Sequence, residues 1–104
     1  MLVCTPMTAL ADPTRQQIVA MLATGAMSSG EIASRFSLTA PAVSQHLKTL
    51  KDARLVTVTP QKQKRIYALD PDGMGEVAAW VEQVRAFWNL RLDALEQALK
   101  KDGS

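Results

Sequence analysis

The hydrophobic period of this chain changes twice, and that limits the folds open to it. Up to Ala53 the apolar residues recur at helical spacing. Ile18, Met21 and Leu22 share one face and Ile32 and Phe36 another. Val43, Leu47 and Leu50 fall within about 40° of one another at 100° per residue. From Leu55 to Thr59 the run Leu-Val-Thr-Val-Thr alternates with period two, as a half-buried strand does. Pro60 is read as its end, Gln61-Lys-Gln-Lys64 as a polar loop, and Arg65 to Leu69 as a returning strand. Asp70-Pro-Asp-Gly73 reads as a turn. Beyond it helical spacing resumes to about Lys101, roughly 28 residues. The expected class is mainly α with a small β-hairpin: four helices, the hairpin, then one long helix.

Boundary residues support this order. Met7 to Ala11 reads as a short helical turn. Asp12 caps the next helix, with Pro13 at its first position and Gly25 as its stop. Ser28-Ser-Gly-Glu31 has the capping-box pattern, in which serine and glutamate each satisfy the other's backbone N–H. After a tight turn at Ser37-Leu38, Thr39 caps a further helix that carries Pro41 in its first turn.

The chain has 104 residues, which suits one domain over 1–104. Apolar residues make up 47% and charged residues 21%, a globular balance that excludes a disordered or collagen-like chain. No apolar run approaches the roughly 18 residues of a membrane span, so no membrane partner is expected. The opening Met1-Leu-Val-Cys-Thr-Pro6 lacks a basic leader and a long apolar stretch, so the expected location is the cytoplasm. Cys4 is the only cysteine, which excludes an intrachain disulfide and a multi-thiolate metal site within one chain. No base is paired with a nucleophile, and there is neither a clustered carboxylate pair nor a glycine-rich phosphate loop. An enzyme is therefore not expected, and no cofactor or metal is assigned.

Ile32, Ala33, Phe36, Leu38, Val43 and Leu47 form the apolar frame of two short helices joined by a tight turn, with small Ala33 allowing close approach. That is what a helix-turn-helix requires, here over about 29–52 with the second helix expected to enter the major groove, although many helical hairpins share such a frame. The hairpin after it, over about 55–69, makes a wing with a basic tip. From Lys48 to Arg65 six basic residues face one acid, Asp52, so this segment carries +5 within a chain of net +2. Such a patch fits a polyanion, although a solvated charged face gives the same pattern.

Opposite the buried face of the second helix lie Pro41, Gln45, Lys48 and Asp52, flanked by Ser44 and Thr49. Gln45 has the donor–acceptor pair that matches an adenine edge. Thr39 and Ser44 can reach phosphates or bases, and Lys48 a phosphate. Ala40 and Ala42, in the first turn, complete the expected DNA-facing set with Lys62, Lys64 and Arg65 of the wing. Asp52 opposes DNA electrostatically. His46, the only histidine, lacks metal-ligating neighbours and reads as a packed, hydrogen-bonded residue.

Ala9-Leu-Ala-Asp-Pro-Thr-Arg15, Glu31-Ile-Ala33, Pro41-Ala-Val-Ser-Gln-His-Leu-Lys48 and Leu55-Val56 together resemble the ArsR-type winged-helix repressors over most of the chain. The Phe87-Trp88 and Arg91-Leu-Asp-Ala-Leu95 stretches resemble a branch with a long C-terminal helix. The resemblance implies a homodimer that binds double-stranded operator DNA and releases it on an effector signal. It places the recognition helix at Thr39 to Asp52 and the wing at Val58 to Tyr67.

The departures from the family's pattern are specific. Metal-sensing members carry Cys-x-Cys on the helix before the recognition helix, where this chain has Glu31-Ile-Ala-Ser-Arg35; the long helix has no histidine either. Metal sensing is therefore not carried over, and the effector stays unknown. Arg54 stands where the family often has glycine, implying an unfavourable backbone conformation or a shifted turn there. The wing also lacks its usual glycine.

On the long helix, over about 73–101, Val77, Val81, Val84, Trp88, Leu92, Leu95 and Leu99 form one side of an apolar stripe about 140° wide. Trp80, Phe87 and Ala98 form its other side, and Arg91 interrupts it. A helix of about 40 Å outreaches a domain whose radius of gyration is about 13 Å. A two-fold dimer would cover the excess, through Met7, Leu10, Val77, Val81, Val84, Phe87, Trp88, Leu92 and Leu95. Two rival readings remain at this point: a winged-helix module for protein–protein contact, and a thiol-redox regulator using Cys4.

Overall fold

In a computed structural model, described here for residues 5–102, each helix begins on the side chain the sequence supplies for it. Thr5 Oγ1 accepts from the Thr8 N–H at the head of α1 (Pro6–Ala9). Asp12 accepts from the Arg15 N–H to start α2 (Pro13–Leu22), with Pro13 at the first position. Ser28 and Glu31 form a complete capping box on α3 (Ser29–Ser34), and Thr39 caps α4 (Ala40–Asp52). These bonds satisfy N–H groups that a helix cannot pair internally.

Three strands follow a different logic. β2 (Val56–Gln61) and β3 (Lys64–Leu69) form the hairpin, and β1 (Met27–Ser28) pairs with β3 from its other side, giving the order β1-β3-β2, all antiparallel. Met27 opposes Tyr67 and Val58 opposes the same Tyr67 across the sheet. The sheet thus has three strands where a hairpin alone is expected from the sequence. Pro60 does not end β2: it lies within the strand, opposite Arg65, and the turn shrinks to Lys62-Gln63. An edge strand tolerates proline because its missing N–H can face solvent. Lys62 takes φ 59° at that turn, the conformation for which hairpins prefer glycine.

The last helix, α5 (Pro71–Asp102), starts at Pro71, inside the segment the sequence reads as a turn. Asp70 supplies the reason: its side chain accepts from the Asp72 N–H and its carbonyl from the Met74 N–H. Proline suits the first helical turn, since its missing N–H would be unpaired there anyway. At 32 residues α5 is about 48 Å long.

The core is one cluster: Ala9, Ile18, Leu22, Met27, Ile32, Val43, Leu47, Leu50, Ala53, Leu55, Val56 and Tyr67. It lies between α2, α3, α4 and the sheet. From α5 only Met74 and Val77 pack against it. Phe36 is half-buried but lies beyond the end of α3, and Leu38, expected in the helix-turn-helix frame, is exposed. The remainder of α5 projects away, so the molecule measures 69 × 29 × 27 Å.

Candidate nucleic-acid interface

Helix α4 sorts its residues by face. Val43, Leu47 and Leu50 are buried, while Ala40, Pro41, Ser44, Gln45, Lys48, Lys51 and Asp52 are exposed. Thr39 is exposed, but its hydroxyl is engaged by the Ala42 N–H at 3.3 Å; Ala42 is half-buried. The exposed face of α4 and the hairpin enclose a groove of about 540 Å³. Pro41, Ser44, Gln45, Lys48, Lys51 and Asp52 line it from the helix, and Val58, Arg65 and Tyr67 from the sheet.

Two of these residues alter the reading from sequence. Lys51 belongs to the groove, and its position four residues and then three beyond Ser44 and Lys48 is the helical signal that places it there. Asp52 also lines the groove, as do Lys48, Lys51 and Arg65, so the acid that opposes DNA shares its wall with three cations.

Arg65 and Tyr67 line the groove with α4, and Lys64 does not. Arg65 and Lys64 both border a second cleft of about 610 Å³, lined also by Ser28, Ser29, Gly30, Glu31, Ser34 and Gln63. Lys62 stands at the tip. The capping box holds the Glu31 carboxyl below its ordinary range, first through the Ser28 N–H and then through the Ser28 hydroxyl, with a smaller contribution from the charge of Lys64. The charge of Lys64 thus acts on Glu31, whereas Arg65 borders both the α4 groove and this cleft.

Arg54 has φ 65°, so of the two outcomes that the family resemblance implies, an unfavourable backbone or a shifted turn, the residue shows the first. It joins α4 to β2 where glycine is the unstrained choice. Among the described residues no three or more His, Cys, Asp or Glu side chains cluster as a metal site would require. His46 is half-buried and bonded within the protein. Cys4, the residue of the redox reading, lies outside the described residues.

The pattern of a capped helix-turn-helix followed by a two-stranded wing is shared with known regulators. The description "Bacterial regulatory protein, arsR family" matches residues 12–58. The chain is 44% identical over 95 residues to the HTH-type transcriptional regulator Rv2034 of Mycobacterium tuberculosis, spanning 91% of this chain and 86% of that one. This chain belongs to the ArsR family. The transcriptional repressor SdpR of Bacillus subtilis is 33% identical over 73 residues, covering 70% of this chain and 81% of that protein. A solved ArsR family transcriptional regulator superposes with a TM-score of 0.72 at 27% identity, covering 81% of this chain and 92% of the other. The ArsR family is one of DNA-binding transcriptional regulators and not of enzymes. No helix of the described residues is long and apolar enough to cross a membrane.

Proposed function

We propose that this ArsR-family chain is a homodimeric, sequence-specific repressor acting on operator DNA in the cytoplasm, released by an effector other than a metal. In this reading residues 1–104 are one winged-helix domain. Its DNA-facing residues are Thr39, Ala40, Ala42, Ser44, Gln45 and Lys48 of the recognition helix, with Lys62, Lys64 and Arg65 of the wing. The observation that carries it is the groove between α4 and the hairpin, whose lining combines exposed Ser44 and Gln45 with Lys48, Lys51 and Arg65. The polar tips are suited to base edges and the cations to phosphates.

The dimer follows from what α5 leaves uncovered. Leu10 and Val77 are half-buried on the chain's own core, so they contribute only their outer edges. Met7, Val81, Val84, Phe87, Trp88, Leu92 and Leu95 are all exposed in the single chain, together with Trp80, Leu90 and Leu99. An exposed apolar surface of this extent marks an interaction site. The absence of Cys-x-Cys before α4 and of histidine on α5 argues for a non-metal effector.

The test is selection of genomic fragments by the purified protein, followed by titration of the recovered fragment and a scrambled control over a salt series. The reading requires tighter binding to the recovered fragment and a logarithmic salt slope of several units. Equal affinity for both DNAs at every salt concentration would sink it. Absence of any DNA binding would favour a protein-contact module.

A further inference from the structure

Arg15 joins three helices through one guanidinium group. Its Nε donates to the Ala9 carbonyl at 2.6 Å, and its Nη1 donates to His46 Nδ1 at 3.3 Å. Ala9 ends α1 and His46 lies on α4 between Gln45 and Leu47. The Ala9 carbonyl is one of the orphan acceptors at a helix C-terminus, so Arg15 also completes α1. Helix α1 in turn packs against both α4 and α5.

A guanidinium has only donors, so the Arg15–His46 bond forms with Nδ1 as the accepting nitrogen and the ring hydrogen on Nε2. Asp12 Oδ2 lies 3.9 Å from the same Nδ1, beyond hydrogen-bond reach, and accepts instead from the Arg15 N–H at 3.0 Å. The side chains of Asp12 and His46 are 31% and 22% exposed, and the Arg15–His46 bond is partly buried. A bond shielded this far from water holds its geometry better than an exposed pair does.

We propose that Arg15 is a positioning residue that couples the α1–α5 body to the reading face of α4 through His46. The preceding residue of α4, Gln45, is exposed in the groove, so the rotation of α4 that seats His46 on Arg15 also sets the direction of Gln45. A shift of α1 against α5 moves the Ala9 carbonyl, and with it the guanidinium and His46. The face proposed to form the dimer is thereby tied to the face proposed to read DNA. The inference rests on the operator-binding reading above.

Four chains decide it: wild type, Arg15→Met, His46→Asn and His46→Gln. Asparagine places a polar atom near the position of Nδ1, and glutamine near that of Nε2. Long-range proton–nitrogen NMR spectra of the wild type at neutral pH should show the Nε2–H form; a proton on Nδ1 would overturn the proposal without any DNA in the experiment. On operator DNA, Arg15→Met and His46→Gln should lower the ratio of operator to random-DNA affinity about tenfold. Affinity for random DNA and solution mass should stay as in the wild type, and His46→Asn should keep the wild-type ratio. Equal losses on both DNAs would show a purely structural role and overturn the coupling, as would an unchanged ratio in Arg15→Met. A wild type with no sequence preference would instead remove the operator reading itself, and the coupling with it.

Discussion

Gly73 lies against the carbonyl of Arg54, so close that a Cβ on residue 73 would overlap the carbonyl oxygen and carbon. The contact joins the start of α5 to the left-handed turn after α4, and the Asp70 N–H donates to the Leu55 carbonyl at 2.8 Å beside it. Backbone on both sides leaves no flexible group to give way. Gly73→Ala should therefore destabilise the fold by about 1–3 kcal/mol, as overpacking does. Gly75, two residues on, has open space around its Cα. Gly75→Ala should stabilise by about 0.4–1 kcal/mol through the unfolded chain's lost freedom. Urea unfolding of both variants checks the pair; similar effects would show that the Arg54 contact is not what requires glycine.

The partner residue gives a test of opposite sign. Arg54 holds φ 65°, and its ion pair with Asp72 is exposed at 3.8 Å. An exposed pair of this kind contributes at most about 1 kcal/mol, whereas a left-handed non-glycine residue costs about 1–2 kcal/mol. Arg54→Gly should leave stability unchanged or raise it by up to about 1 kcal/mol, read from the same urea curves. A clear loss would mean that the ion pair outweighs the backbone strain.

The groove predicts a separation between reading and gripping. Gln45→Ala should cost about 1–3 kcal/mol on the operator and far less on random DNA. Arg65→Ala should weaken both and lower the salt slope by about one. Lys64→Ala should lower the slope less, because its charge also acts on Glu31. Salt titrations of the three variants rank them, and a larger slope change for Lys64 than for Arg65 would show that lining the α4 groove does not decide which wing cation grips phosphate.

The caps make stability fall in acid. The Glu31 carboxyl is held below its ordinary value of 4.5 by the Ser28 N–H, and Asp12 below 3.8 by the Arg15 N–H. A folded-state pKa below the unfolded one means that the stabilisation is present above the unfolded value and lost as pH falls through the folded one. Melting temperature should hold down to about pH 5 and decline towards about pH 3. Glu31→Gln should show a shallower decline, since its side chain no longer titrates. An identical decline in both chains would assign the acid sensitivity to other carboxyls.

Most of this arrangement is legible in the sequence because capping is local. Asp12, Ser28 with Glu31, and Thr39 each announce a helix within a few residues, and period-two alternation announces β2. Arg54 at a position suited to glycine announces strain, and the backbone there is left-handed. What stays hidden depends on contacts far apart in the chain. β1 has two residues, too few to show alternation, and exists only because Met27 and Ser28 pair with Tyr67 and Ile66. Pro60 reads as a terminator unless its strand is known to be an edge. Asp70-Pro-Asp-Gly73 has turn composition, yet Asp70 caps α5 and Gly73 is needed for close approach instead of for a turn. That Arg65 lines the α4 groove and Lys64 does not depends on how α3 and α4 pack against the wing. The Arg15 bridge spans 31 residues from His46, and no local pattern points to it.

The projecting half of α5 yields the prediction that links assembly to DNA binding. Val77, Trp88 and Leu99 recur every 11 residues, as do Val81 with Leu92 and Val84 with Leu95. That spacing corresponds to about 3.67 residues per turn, near the straight helix's own 3.6, so the stripe runs almost parallel to the axis for its whole length. Arg91, which would enter a strict heptad seam after Val84, falls between the two sides of the stripe. Val84 sits midway along the stripe, 45% exposed in the single chain. A mate helix laid on it would bury the stripe and hold two recognition helices about 34 Å apart, one turn of DNA. Coupling two half-sites raises apparent affinity by about 10²–10⁴ over one. Val84→Asp places a carboxylate, which is costly to bury unpaired, at the centre of that contact. It should halve the mass seen by light scattering at micromolar concentration and remove most of the operator affinity. The circular dichroism of the winged helix should stay close to native, since Val84 contributes nothing to the core cluster. A native chain that is monomeric at that concentration, or a monomeric Val84→Asp variant with full operator affinity, would break the link between the long helix and DNA binding.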